Sequence, residues 1–253
     1  MDNERALADL AKKAIKEWDV DVESINLYLQ SENTVFKVEG TNGNTYALRI
    51  HRKGYHDLEE LNSEHAWTSC LSNAGLSVPE AVATRNGQAY ASVSFLNSDE
   101  CRYVGLVKWL EGTILNDLIL GLEEKDVSDL YESFGRVIAK FHEATMTWEV
   151  PKDFKRHSFD TQGFLGSKPF WGRFWESENA NSIERQALTL IRNNLIESFS
   201  KLPKDIKFFG MVHADMHSQN VLIQGEKLSV IDFDDAGFNY IISIWTFFKV
   251  TLY

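Results

Sequence analysis

Phe209-Gly-Met-Val-His213-Ala-Asp215-Met-His217-Ser-Gln-Asn220-Val-Leu-Ile, followed shortly by Ser229-Val-Ile-Asp232-Phe-Asp234-Asp235, is the stretch on which the reading of this chain turns. The apolar runs Val221 to Gln224 and Lys227 to Ile231, joined by Gly225-Glu226, predict a hairpin. The loops before and after a hairpin leave from the same end of its ribbon, so Asp215 and Asn220 on one side meet Asp232 on the other. Two carboxylates and an amide make an oxygen-rich set of the kind Mg²⁺ takes. Phosphoryl transfer needs a carboxylate to orient an acceptor hydroxyl and a hard cation to neutralise phosphate charge. Asp215 suits the first task, and Asn220 and Asp232 suit the second.

The same string permits a transition-metal reading, with His213, Asp215 and His217 as ligands of a hydrolase. No second His/Asp cluster of matching spacing completes such a site. His213 reads better as a structural residue that hydrogen-bonds its loop.

Upstream, Leu7, Leu10, Ala11, Ala14, Ile15 and Trp18 fall at helical spacing. Short β-type runs follow at Ile25 to Leu29, Thr34 to Glu39 and Thr45 to His51, the last two separated by the turn signal Thr41-Asn42-Gly43-Asn44. Leu58 to Ala74 predicts a helix closed by Gly75, and strands are expected near Val82, over Ala89 to Phe95 and over Tyr103 to Leu110. Beyond Gly112 the pattern becomes mainly helical, clearest at Asp126 to Ala144 and Ile183 to Ser200. The expected architecture is α+β with two lobes: residues 1–106 as a small antiparallel-sheet lobe, 107–112 as a hinge, and 113–253 as a mainly helical lobe.

Bulk properties narrow the function. With 253 residues, 43% of them hydrophobic and 25% charged, the chain has a globular composition. A net charge of −11 without a clustered basic face argues against nucleic-acid binding and suits a cationic small-molecule substrate. Cys70 and Cys101 show no CxxC spacing and fit a reducing, cytoplasmic setting. The N-terminal segment lacks the apolar core of a signal peptide. The most apolar run, Phe238 to Tyr253, contains Lys249 and is short for a membrane span. Oligomeric state is not legible.

His213-x-Asp215-x-x-x-x-Asn220 followed by Asp232-Phe resembles the catalytic and metal-binding loops of kinases, in the form typical of the aminoglycoside phosphotransferase family. Phe36-Lys-Val, Tyr46-Ala-Leu-Arg49-Ile, Ser63-Glu64-His65, Val78-Pro79, Trp109-Leu-Glu-Gly112, Ala139-Lys-Phe-His142 and Phe164-Leu-Gly-x-x-Pro169-Phe-Trp171-Gly-Arg173 fall in the family's order. The resemblance implies a protein-kinase-like fold, the cofactors ATP and Mg²⁺, and transfer of the γ-phosphate to a hydroxyl of a small molecule. It implies Asp215 as the catalytic residue and Asn220 and Asp232 as metal ligands. Arg49 then stands at the nucleotide-phosphate position with Glu64 as its acid partner, and the adenine lies against the connection carrying Val107 and Trp109. His217 stands where protein kinases have a lysine that steadies the γ-phosphate.

The sequence also departs from the pattern. Arginine replaces lysine at position 49, and Ser31-Glu-Asn33-Thr34 replaces a glycine-rich loop, leaving Ser31 and Asn33 to contact phosphate. Relatives continue further beyond the metal loop, so the resemblance implies a second lobe truncated at Tyr253. Two alternatives follow: a catalytically impaired pseudokinase or truncated binding module, and a protein Ser/Thr kinase of the same fold. Asp234 and Asp235 carry either a second metal, a cationic acceptor or no function.

Overall fold

A computed structural model describes residues 4–96 and 98–241. The expected membrane and chain-end features at 242–253 lie outside the described residues. Helix α1, Glu4–Ala14, runs into a 3-10 turn at Ile15–Glu17. Strands β1 (Val22–Gln30), β2 (Thr34–Gly40), β3 (Thr45–Ile50), β4 (Tyr90–Ser94) and β5 (Cys101–Lys108) form one antiparallel sheet in the order β1-β2-β3-β5-β4. Helix α2, Leu58–Asn73, interrupts them between β3 and β4.

Alternation along the strands gives the sheet two distinct faces. Phe36, Val38, Leu48, Ile50, Val104 and Leu106 are buried against Leu7, Leu10, Ala14 and Trp18 from the first helix and turn. Trp18 is fully buried and donates its indole N–H to the carbonyl of Val82 at 2.7 Å, so the ring's single polar group is satisfied. The intervening residues Val35, Ala47, Arg49 and Val107 lie on the opposite face and are only partly buried.

Helix α2 begins with a capping box. Asp57 accepts from the Glu60 amide, and Glu60 accepts from the Asp57 amide. Its apolar residues do not join the first core. Trp67 and Leu71 pack instead with Phe134, Phe141, Met211 and Phe233 from the second half of the chain. The expected strand near Val82 is absent; Pro79 removes a donor, and only Ala81 bridges β5, at Val107.

The segment expected as a hinge, 107–112, starts inside a strand. Val107 and Lys108 belong to β5, held by β3 on one side and by residues 80–82 on the other. Trp109 to Gly112 then lead into β6 (Thr113–Ile114) and the short helix α3 (Leu115–Ile119). Helix α4, Glu124–Thr147, buries Phe134, Ile138, Phe141 and Thr145, which recur on one helical face. After α5 (Thr161–Leu165) and α6 (Ser182–Ser200), the chain forms β7 (Phe209–Val212), β8 (Val221–Gln224), β9 (Lys227–Val230) and β10 (Gly237–Tyr240). Strand β7 pairs with β10, while β8 pairs with β6 and β9. Among the described residues no helix is long and apolar enough to cross a membrane.

Gly112 closes the passage from β5 to β6 at φ +145°, and a Cβ there would lie 2.9 Å from the Ile223 carbonyl oxygen. Both the dihedral and the close approach require glycine. Gly112→Ala is expected to cost about 1–3 kcal/mol, read as a lowered denaturation midpoint in urea with an unchanged slope.

Candidate active site

Two loops built on the β7–β10 region carry the polar residues. The first, between β7 and β8, holds residues 213–220; the second, between β9 and β10, holds 231–236. The β8–β9 hairpin ties their bases together, since the Ile231 amide donates to the Asn220 carbonyl at 2.9 Å. His213 is fully buried and packs on Phe233 at 4.7 Å between ring centroids. Its Nε2–H donates to the Ile231 carbonyl at 2.9 Å. That bond removes Nε2 from metal ligation and gives His213 a loop-joining role. Among the described residues no group of three or more His, Cys, Asp or Glu side chains is arranged to hold a metal. The hydrolase alternative therefore has no site in the described region.

Each loop contains a residue in the left-handed region, Ala214 at φ +62° and Asp232 at φ +65°. Non-glycine residues hold such dihedrals only where surrounding bonds enforce them. Asn220 donates its side-chain Nδ2 to both the backbone carbonyl and Oδ2 of Asp215, each at 3.0 Å. His217 Nδ1 accepts from the Gln219 amide, so its proton sits on Nε2, 3.4 Å from Asp215 Oδ2. Burial alone would raise the Asp215 carboxyl, but His217 and Asn220 hold it below the usual range. The Asp215 hydrogen bond in turn raises His217.

The sheet meets these loops through Arg49. Its guanidinium bonds Asp232 Oδ1 at 2.7 Å and approaches Asp234 Oδ1 at 3.1 Å. The expected Arg49–Glu64 pair is not formed. Glu64 faces Arg156 instead, at 3.4 Å, and both side chains are buried. Burial is the largest influence on the Glu64 carboxyl and pushes it up to about 7, with Arg156 and then Arg49 pulling the other way. The physical reason for the exchange of partners is that a guanidinium as deeply buried as Arg156 requires a counter-charge, and Glu64 is within its reach.

Asn33 also lies elsewhere than the phosphate role requires. Its Nδ2 donates to Asp234 Oδ2 at 2.6 Å and its Oδ1 accepts from the Arg52 amide at 2.9 Å, so both ends of the amide bridge protein groups. Ser31 is exposed at the β1–β2 turn, where its amide donates to the Asn33 carbonyl. Val107 lies opposite Ala47 on the partly buried sheet face. Trp109 follows β5, in edge contact with Tyr28 at 4.9 Å.

Asp234 and Asp235 are internal linkers rather than solvated loop residues. Asp234 is buried against Arg49 and Asn33, while Tyr55 donates a hydrogen bond to Asp235 Oδ1. The segment after β3 brings together His51, Arg52, Lys53 and His56. His51 and His56 are buried, burial and Arg49 push His51 down to about 3, and Arg52 and Lys53 pair with Glu32 and Glu100. Phe170 stacks on His157 at 3.5 Å and Trp175 is buried beneath Arg192, so these aromatics pack the interior. Arg156, His157 and Tyr55 are not legible in the sequence, because isolated polar residues in a loop carry no periodic signal of burial.

The family model for the phosphotransferase enzyme family matches residues 28–243. The chain belongs to this family. It is 23% identical to amicoumacin kinase of Bacillus subtilis (strain 168) over 242 residues, covering 95% of this chain and 65% of that protein. It is 28% identical to homoserine kinase of Rhizobium etli over 166 residues, covering 64% of this chain and 44% of that one. The chain thus spans two thirds or less of the length of these curated relatives. Among solved structures, a microcompartment-associated aminopropanol kinase superposes with a TM-score of 0.79 at 28% identity, covering 94% of this chain and 72% of the other. An amicoumacin kinase in complex with AMP-PNP, Ca²⁺ and Ami shares the fold, with a TM-score of 0.72 at 20% identity and coverage of 96% and 67%. The kinase-like fold of this family is therefore the fold of this chain.

The Asp215–His217 contact has a measurable consequence. His217 is expected to titrate above an ordinary histidine in imidazole NMR spectra, and Asp215→Asn is expected to bring it down. A raised folded-state value means that the folded protein holds this proton more tightly than the unfolded chain. The stabilisation is then complete below pH about 6.5 and is lost as the pH rises through the folded-state value.

Proposed function

We propose that this chain is an ATP- and Mg²⁺-dependent phosphotransferase acting on a hydroxyl group of a small molecule. The observation that carries the reading is the half-exposed Asp215 carboxylate, gripped by Asn220 and His217 at the base of the hairpin that also carries Asp232. The donor set favours a hard cation. Asp232 and Asn220 offer oxygen ligands without a thiolate or imidazole cluster, and Mg²⁺ takes few protein ligands because phosphates and water supply the others. In this reading Asp232 and the Asn220 amide oxygen hold the metal, which when bound neutralises charge on the phosphates of ATP.

The roles of the protein's own groups follow from their chemistry. Asp215 remains ionised at neutral pH, so it can accept the hydrogen bond of an acceptor hydroxyl, orient it and take its proton. His217 carries its proton on the nitrogen facing Asp215 and offers a donor near a developing phosphate charge. Val35, Ala47 and Val107 give a partly buried apolar surface suited to an adenine ring, with Trp109 at its edge. Arg49, on the same face, has the charge to bind phosphate once its contact with Asp232 opens. Ser31 lies at the exposed hairpin tip, where its hydroxyl can meet phosphate.

Aminopropanol and homoserine, named for two relatives, each join an amine to an alcohol. A small amino alcohol matches the acidic balance of this chain and is the proposed acceptor class. Two free cysteines suit a cytoplasmic setting. A second reading, a nucleotide-binding protein without turnover, is favoured by the Arg49–Asp232 ion pair, which engages a proposed metal ligand.

Transfer of labelled γ-phosphate from ATP to a panel of amino alcohols tests the proposal. Activity is expected to disappear on chelation of divalent metal. Asp215→Asn is expected to lower kcat by about 10²-fold or more while nucleotide binding persists in a thermal-shift assay. Metal-dependent nucleotide binding without transfer would select the second reading. Absence of both would remove the assignment.

A further inference from the structure

The loop after Asp232 turns back on itself, and its carbonyl oxygens converge on one side chain. Arg156 Nε donates to the Ala236 carbonyl at 2.6 Å, and its Nη2 donates to the carbonyls of Phe233 at 3.1 Å and Asp234 at 2.5 Å. The remaining nitrogen, Nη1, reaches the Glu60 carbonyl and Glu64 Oε2, both at 3.4 Å. The side chain has no solvent exposure. A buried guanidinium is costly unless its donors are satisfied, and here its planar fork meets the loop on one side and α2 on the other.

Neighbouring groups hold the same arc. His56 Nε2 donates to the Asp234 carbonyl at 2.7 Å and His157 Nε2 to the Asp235 carbonyl at 3.0 Å. Burial keeps both histidines below the ordinary range, so each is neutral and has one N–H to give. His56 also approaches Glu60 Oε2 on α2 at 3.4 Å, but of the three side chains only Arg156 serves three loop carbonyls while reaching Glu64. Because it draws Glu64 toward itself, Arg49 is left to the aspartates of the loop.

We infer that Arg156 is a positioning residue for the metal-binding loop, fixing the backbone of 233–236 against α2 and thereby setting Asp232 in its left-handed conformation. Its effect on catalysis rests on the phosphotransferase reading above; its effect on the loop does not. The role requires the fork as well as the charge. A lysine at 156 brings one ammonium, which cannot serve three loop carbonyls and Glu64 from a single plane.

Arg156→Lys provides the test, with two readouts. Hydrogen–deuterium exchange of peptides covering 231–237 is expected to accelerate about tenfold in the variant, while exchange in β1–β3 stays as in the parent. In the transfer assay the Mg²⁺ concentration for half-maximal rate is expected to rise by about tenfold, with the KM for ATP at saturating Mg²⁺ changed less than about twofold. If Arg156→Lys does not fold, the paired variant Arg156→Met with Glu64→Gln removes both buried charges and is read in the same way. Unchanged exchange over 231–237, or acceleration spread evenly over the protein, would overturn the inference; so would an unaltered Mg²⁺ requirement in an active enzyme. Should the parent protein show neither metal-dependent nucleotide binding nor transfer, the functional reading fails, and exchange alone decides the role of Arg156.

Discussion

The hydrogen bond from His213 to the Ile231 carbonyl, beside the backbone bond from Ile231 to Asn220, is the constraint on which the site depends. The two chain segments that enter and leave the β8–β9 hairpin are joined at its base. Because the imidazole is buried and its Nε2–H has this carbonyl as partner, separating the loops would leave a polar group without water or protein to bond. Asn220, Asp215 and Asp232 inherit their relative positions from that junction. The left-handed dihedrals of Ala214 and Asp232 flank it, consistent with local strain retained by the bonds around it.

Electrostatics then connects the site to the rest of the molecule through alternating charges. Arg49 reaches Asp232 and Asp234 from β3, Asn33 reaches Asp234 from the β1–β2 turn, and Arg156 reaches the same loop from the segment before α5. Glu64 on α2 completes the series opposite Arg156. Such a buried network is a weak source of net stability, since desolvation offsets much of the attraction, but any one member removed leaves another unpaired. Its effect is to give the loops one arrangement. The packing of Trp67 and Leu71 with Phe134, Phe141 and Phe233 acts in the same sense by seating α2 on the core behind the loops.

Local signals made much of the fold legible. The glycine at 75, the turn Thr41-Asn42-Gly43-Asn44 before the β-type run at Thr45 and the Gly225-Glu226 turn each act over a few residues, and the elements they mark formed within a residue or two of their expected limits. The strand near Val82 failed because β-type residues do not suffice where a proline and a short edge limit pairing. That β5 runs on through Val107 and Lys108 is not visible in the sequence, because the two neighbours that hold them come from distant parts of the chain.

The catalytic-type loops were readable for the same reason that the hairpin was: Asp215, Asn220 and Asp232 lie at spacings set by one short ribbon. From the sequence alone came the family resemblance, the run of strands around α2 and the second hairpin, whereas the two faces of the sheet and the side on which Arg49 lies are seen in the structure. Which acid each arginine meets was decided only in three dimensions. Arg49 and Glu64 lie on adjacent elements, as do many pairs that never touch, whereas Arg156 arrives at Glu64 from far along the chain. Electrostatic partners are selected by burial and reach, and neither quantity exists until the chain has folded.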